Sequence, residues 1–114
     1  MPFINSKVSV ALTDKQKEEL KNELGKAITL IPGKSESWLM LGFEDNYSLY
    51  FKGEAFEKIA FIEVKIFGNT TSDAYDKLTA AICDIFSRVV GIDTDKIYVK
   101  YEEVSHWGYN GFNF

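Results

Sequence analysis

The sequence predicts an α/β chain of the α+β kind: a duplicated β-α-β unit with two helices on one face of a four-stranded sheet. Three observations carry that reading. Two segments have a capped start, an apolar stripe at helical spacing and a glycine stop; other runs read as strands; and the halves coincide when one is shifted by 58 residues. The shift lays Thr13 on Thr71, Leu20 on Leu78, Leu24 on Ile82 and Ile28 on Phe86. It also lays Ile31 on Val89, Gly33 on Gly91 and Leu39 on Ile97. Residues 1–114 read as a single domain, large enough for one core.

Taken in order, Phe3, Ile4, Val8 and Val10 alternate with polar residues and predict a first strand. Thr13 with Gln16 three residues on makes a capping box, and Leu20, Leu24, Ala27, Ile28 and Ile31 give one apolar helix face. Pro32-Gly33 stops that helix. Trp38 to Phe43 reads as a strand buried on both sides, and Ser48 to Lys52 as a short strand, so a small extra hairpin is expected near residues 44–53. Ala60 to Phe67 is a further strand. A second helix starts at Thr71 or Ser72, shows Tyr75, Leu78, Ile82, Ile85, Phe86 and Val89 on one face, and ends at Gly91. Lys96 to Val104 forms the last long strand. Right-handed crossovers make the strands parallel within each unit. The sheet face bearing Tyr98 and Lys100 is left bare, which favours association with other copies.

Composition narrows the function. Hydrophobic residues make up 46% and aromatics 15%, so the chain folds. The net charge is −4 with no basic run, which argues against a nucleic-acid partner. A single arginine, Arg88, leaves no forked pair for phosphate or carboxylate. Cys83 is alone, excluding an intrachain disulfide or a CxxC redox pair, and is expected to be a small buried hydrophobe. His106 is the sole histidine, expected at a surface or turn; no metal or cofactor is implied. No stretch reads as a signal peptide or approaches the ~20 apolar residues of a membrane span, so a soluble, cytoplasmic protein is expected.

Pro2 poses a chemical question. By itself it reads as the start of an edge strand. If Met1 is removed, it becomes a free secondary amine able to act as a base. If Met1 stays, the Pro2 nitrogen is an amide with no basic lone pair.

The MPFI start, the duplication over the whole chain, Gly33-Lys34 after the first helix, Ile97-Tyr98-Val99 and the terminal Trp107-Gly108-Tyr109-Asn110, in that order, resemble the macrophage migration inhibitory factor family of the tautomerase superfamily. The resemblance implies a homotrimer with active sites at subunit boundaries and keto–enol tautomerisation of α-keto acids such as phenylpyruvate. It implies Pro2 as the catalytic base, Lys34 as a cation and Tyr98 as a phenol reaching the site from a neighbouring subunit. Val64 is matched to a position whose backbone N–H binds substrate, and Trp38, Trp107, Tyr109 and Phe114 are the implied pocket walls. No cofactor is required.

The chemistry suits these residues. An α-amine titrates near ~8, and apolar burial with a nearby Lys34 cation both lower that value. A base poised near the working pH is what abstraction of a proton beside a carbonyl needs. Negative charge then develops on the carbonyl oxygen, where Lys34, Tyr98 and a backbone N–H can receive it. Lys100 departs from the asparagine common in animal members; it either holds the substrate carboxylate or is solvated. The missing CxxC rejects a thiol–disulfide activity, and the lone Arg88 argues against dehalogenating or hydrating chemistry. The alternative function is a non-catalytic, cytokine-like module that binds a receptor and keeps the pocket as a relic.

Overall fold

The computed structural model describes residues 1–114. Its main sheet has β1 (Pro2–Val8), β2 (Met40–Glu44), β3 (Ala60–Phe67) and β4 (Ile97–Val104) in the order β2-β1-β3-β4. Helix α1 (Asp14–Ala27) links β1 to β2, and α2 (Ser72–Val90) links β3 to β4. The strands of each β-α-β unit are parallel, while β1 and β3 meet antiparallel at the centre, pairing Ile4 with Val64 and Ser6 with Ile62. The expected duplication is thus an approximate twofold arrangement about the β1–β3 seam.

Both helices start as predicted. The Thr13 hydroxyl accepts from the Gln16 N–H at 3.0 Å, and the Gln16 side chain accepts from the Thr13 N–H at 2.9 Å. Thr71 accepts from the Ala74 N–H at 3.1 Å. Gly91 closes α2 at φ 78°, a left-handed conformation that glycine adopts without a Cβ penalty. The α2 stripe ends on buried Val90, whereas the predicted Val89 is only half-buried.

One core forms between helices and sheet. Ile4, Val8, Ile62, Val64 and Ile66 pack from the sheet against Leu20, Leu24, Ile28, Leu78, Ile82 and Phe86. Strict alternation in β1 and β3 sends every second residue into this core. The other face has no helix on it. There Lys7 pairs with Glu63 at 3.1 Å, Asn5 donates to Glu44 at 2.7 Å, and Lys100 pairs with Glu102 at 2.9 Å. No helix is long and apolar enough to cross a membrane.

Several sequence expectations change. The first strand ends at Val8, because Ser9 and Val10 bend away. Trp38 lies in a short 3-10 turn (Glu36–Trp38), and β2 begins only at Met40. That strand is at the sheet edge with an exposed Met40, so it is not buried on both sides in the single chain. The hairpin near residues 44–53 reduces to one bridge between Phe51 and Glu54. Residues 46 and 47 bond instead to the last residue of β1 and the bend after it, through Tyr47 N–H to Val8 O and Asn46 N–H to Val10 O. Left-handed backbone at Asn46 and Lys52 bounds the segment on either side. Cys83 is half-buried, and that burial raises its thiol pKa. His106 is exposed, as expected.

Candidate active site

At one end of the sheet an open cleft of about 530 Å³ is lined by Met1, Pro2, Trp38, Met40, Trp107 and Tyr109, among others. The parallel β1–β2 pairing sets its base, placing Phe3 beside Met40. The turn before β2 supplies Trp38. The far wall is a terminal hairpin of β5 (Gly108–Tyr109) and β6 (Phe112–Asn113). Asn110 and Gly111, at φ 54° and 86°, make the two-residue reversal between them. Phe114 N–H closes it on Trp107 O at 2.9 Å.

Aromatic edges fix this wall. Trp38 meets Tyr109 edge-to-face at 5.3 Å, and Phe114 stacks on Tyr109 at 6.4 Å while leaning on Phe67 at 5.8 Å. Phe114 therefore stands behind Tyr109. The result is an apolar slot, with few polar groups, of a size suited to one small molecule.

The polar end is built from three chain segments. The Met1 carbonyl accepts from the Phe67 N–H at 3.0 Å, anchoring the chain start to the end of β3. The Lys34 ammonium donates to the Phe67 carbonyl at 2.8 Å. Burial, followed by the Lys34 charge and its hydrogen bond, lowers the pKa of the terminal amine below its ordinary value. In this chain that amine belongs to Met1, and the Pro2 nitrogen is an amide. The Met1 amine marks the region where a Pro2 amine would emerge after methionine removal.

Pro2, Trp38, Trp107 and Tyr109 line the cleft and Lys34 reaches the chain-terminal amine beside it, whereas Phe114, expected as a wall, stands behind Tyr109, and Val64, Tyr98 and Lys100 lie elsewhere in this chain. Val64 is in the middle of β3, 1% exposed and facing the helices, and does not line the cleft. Tyr98 and Lys100 lie on the open sheet face toward the start of β4. Tyr98 is in register with Phe61, whereas Pro2 pairs with Ile66 at the other end of β3. Lys100 is paired with Glu102 on its own strand.

Sequence reasoning missed Met40 and Phe67. Met40 was hidden inside a run read as doubly buried, yet it is 68% exposed and lines the cleft. Phe67 contributes only main-chain atoms to Lys34 and Met1, which no side-chain pattern announces. The terminal hairpin did carry a signal: Asn-Gly between Tyr109 and Phe112. No group of three His, Cys, Asp or Glu side chains converges as a metal site.

Comparison with known proteins agrees with this architecture. The family model for macrophage migration inhibitory factor matches residues 1–114. A solved structure of MIF2 from Leishmania major superposes with a TM-score of 0.93 at 31% identity, covering 100% of this chain and 97% of that one. A macrophage migration inhibitory factor homologue from Prochlorococcus marinus gives 0.88 at 27% identity, covering 98% of each chain. A fused 4-OT protein, described as a symmetric trimer, shares the fold at 0.85 with 19% identity, over 97% of this chain and 94% of that one. Comparison with curated proteins yields no match. Matched along its whole length, with the duplicated β-α-β fold and the cleft at its first residue, the chain belongs to the macrophage migration inhibitory factor family.

Proposed function

We propose that the protein is a keto–enol tautomerase of α-keto acids such as phenylpyruvate, with Pro2 as general base once Met1 is removed. The observation that carries this reading is the chain terminus at an apolar cleft beside Lys34, where burial and that cation lower the pKa of the Met1 amine that precedes Pro2. A Pro2 amine under the same two influences would hold a free lone pair at lower pH than an ordinary one, as a base for C–H abstraction must. The amine takes the proton from the carbon next to the carbonyl, and the carbonyl oxygen gains the electron pair and then a proton. The reverse path returns the ketone, so no proton is gained or lost overall.

In this reading Lys34, whose ammonium bonds the Phe67 carbonyl, stabilises the developing oxyanion and holds the carboxylate. Trp38, Trp107 and Tyr109 provide the apolar wall for an aryl group. Tyr98 enters this reading through assembly: it is 58% exposed on a sheet face with no helix over it, and β2 and β4 leave two open edges. A homotrimer in which each Tyr98 meets the cleft of a neighbouring copy completes the site. The trimeric description of the fused 4-OT neighbour, at the level of fold, supports that arrangement. A cytoplasmic location belongs to the same reading.

The test is the ultraviolet-followed ketonisation of phenylpyruvate enol by protein whose intact mass shows Met1 absent. Turnover is expected to fall in Pro2→Ala, which keeps an amine but loses the ring, by less than the roughly 10²–10⁴ expected for loss of a general base. Unchanged turnover in that variant contradicts the assignment.

A further inference from the structure

We infer that Phe51 is a positioning residue that sets the orientation of the Tyr98 phenol, an inference that gains catalytic meaning from the tautomerase reading above. Tyr98 stands on the open face of β4, and two aromatic rings hold it there. Phe61, its register partner on β3, lies at 6.4 Å and 74°. Phe51 reaches in from the connection between β2 and β3 and meets the Tyr98 ring edge-to-face at 5.3 Å and 89°. That geometry matches the quadrupole preference of paired rings. Phe56 backs Phe51 at 6.4 Å.

Phe51 is not held by the main core. It is carried on a short reversal closed at both ends, with Phe51 N–H to Glu54 O at 2.8 Å and Glu54 N–H to Phe51 O at 3.0 Å. The reversal needs left-handed backbone at Lys52 and Gly53, φ 53° and 78°. A non-glycine residue in that region adds local strain, and the product is one ring placed against a tyrosine that is itself more than half exposed. A turn built for core packing would direct Phe51 inward; this one directs it onto the phenol that the proposed trimer presents to a neighbouring cleft.

The experiment is a double-mutant cycle on protein lacking Met1, using Phe51→Leu, Phe51→Tyr, Tyr98→Phe and Phe51→Leu/Tyr98→Phe. Phe51→Leu is expected to lower kcat/KM for phenylpyruvate about 2- to 12-fold, the range of an aromatic pair contact. Phe51→Tyr restores it by keeping the ring edge. In the Tyr98→Phe background, where no hydroxyl remains to be aimed, Phe51→Leu has no further effect. The same loss in both backgrounds overturns the inference, since a general structural defect does not depend on that hydroxyl.

A second readout does not require turnover. In 3-fluorotyrosine-labelled protein the Tyr98 fluorine resonance, identified by its disappearance in Tyr98→Phe, shifts in Phe51→Leu and returns in Phe51→Tyr. An unmoved resonance overturns the inference. A shifted resonance in a protein that does not turn over phenylpyruvate upholds the Phe51 contact while contradicting the tautomerase reading.

Discussion

Lys34 and Phe67 are joined by a 2.8 Å hydrogen bond from the lysine ammonium to the phenylalanine carbonyl. The Phe67 N–H reaches the other way, to the Met1 carbonyl at 3.0 Å. One residue at the end of β3 thus fixes both the cation and the chain start, and the cation acts on the terminal amine.

This coupling predicts a pH profile. The base works only when deprotonated, so kcat/KM rises with pH through the amine pKa and then levels. Burial and Lys34 lower the pKa of the Met1 amine at this end of the cleft, and the same two influences on a Pro2 amine would place the acid limb below the ~8 of an ordinary terminal amine. In Lys34→Ala the Coulombic share is lost and the burial share remains. The limb moves to higher pH, and plateau kcat/KM falls about 10²- to 10³-fold through loss of an oxyanion partner. A pH–rate series on both proteins checks the two effects separately.

The cleft wall predicts selectivity. Trp38 meets Tyr109 edge-to-face, and removing it takes away both a lining surface and the contact that steadies Tyr109. Trp38→Ala is expected to raise KM for phenylpyruvate at least several-fold, about 2- to 12-fold from the ring contact alone. A keto acid without an aryl group is expected to show little change. Steady-state kinetics with the two substrates provides the comparison.

The core contains one polar misfit. The Ser6 hydroxyl is fully buried and has no hydrogen-bond partner, whereas its counterpart in the second half is Val64. An unpaired buried hydroxyl costs about 1–3 kcal/mol. Ser6→Ala is therefore expected to raise the urea midpoint without changing the slope. Thr13→Ala, which breaks the α1 capping box, is expected to lower stability by about 1 kcal/mol. Equilibrium unfolding of both variants measures the contrast.

The helices and the duplication were legible because capping, apolar spacing and stop signals are local: Thr13 with Gln16, the Leu20–Leu24–Ile28 stripe and Gly91 each act within a turn or two. The parts that changed depend on position in the sheet. Apolar content alone could not tell that the run around Met40 lies at an edge, because edge exposure is a property of topology. The Ser48–Lys52 segment has strand-like composition, but bonds from residues 46 and 47 to Val10 and Val8, and a tight reversal at Phe51–Glu54, claim its backbone. In the candidate site, Pro2 and Lys34 were visible as residue types, and Trp38 with Trp107 and Tyr109 as aromatics near it in the fold. Phe67 was invisible because its part is played by main-chain atoms.

The central claim is that catalysis depends on a free amine at Pro2, and the most direct measurement compares the chain with and without Met1, which moves the terminal amine between Met1 and Pro2. Two preparations of the same sequence, one with Met1 retained and one with it removed as verified by intact mass, are assayed for phenylpyruvate ketonisation under identical conditions. Converting an amine to an amide removes its basic lone pair, so the account predicts that the retained form is slower by about 10²–10⁴. Equal rates for the two preparations would contradict it.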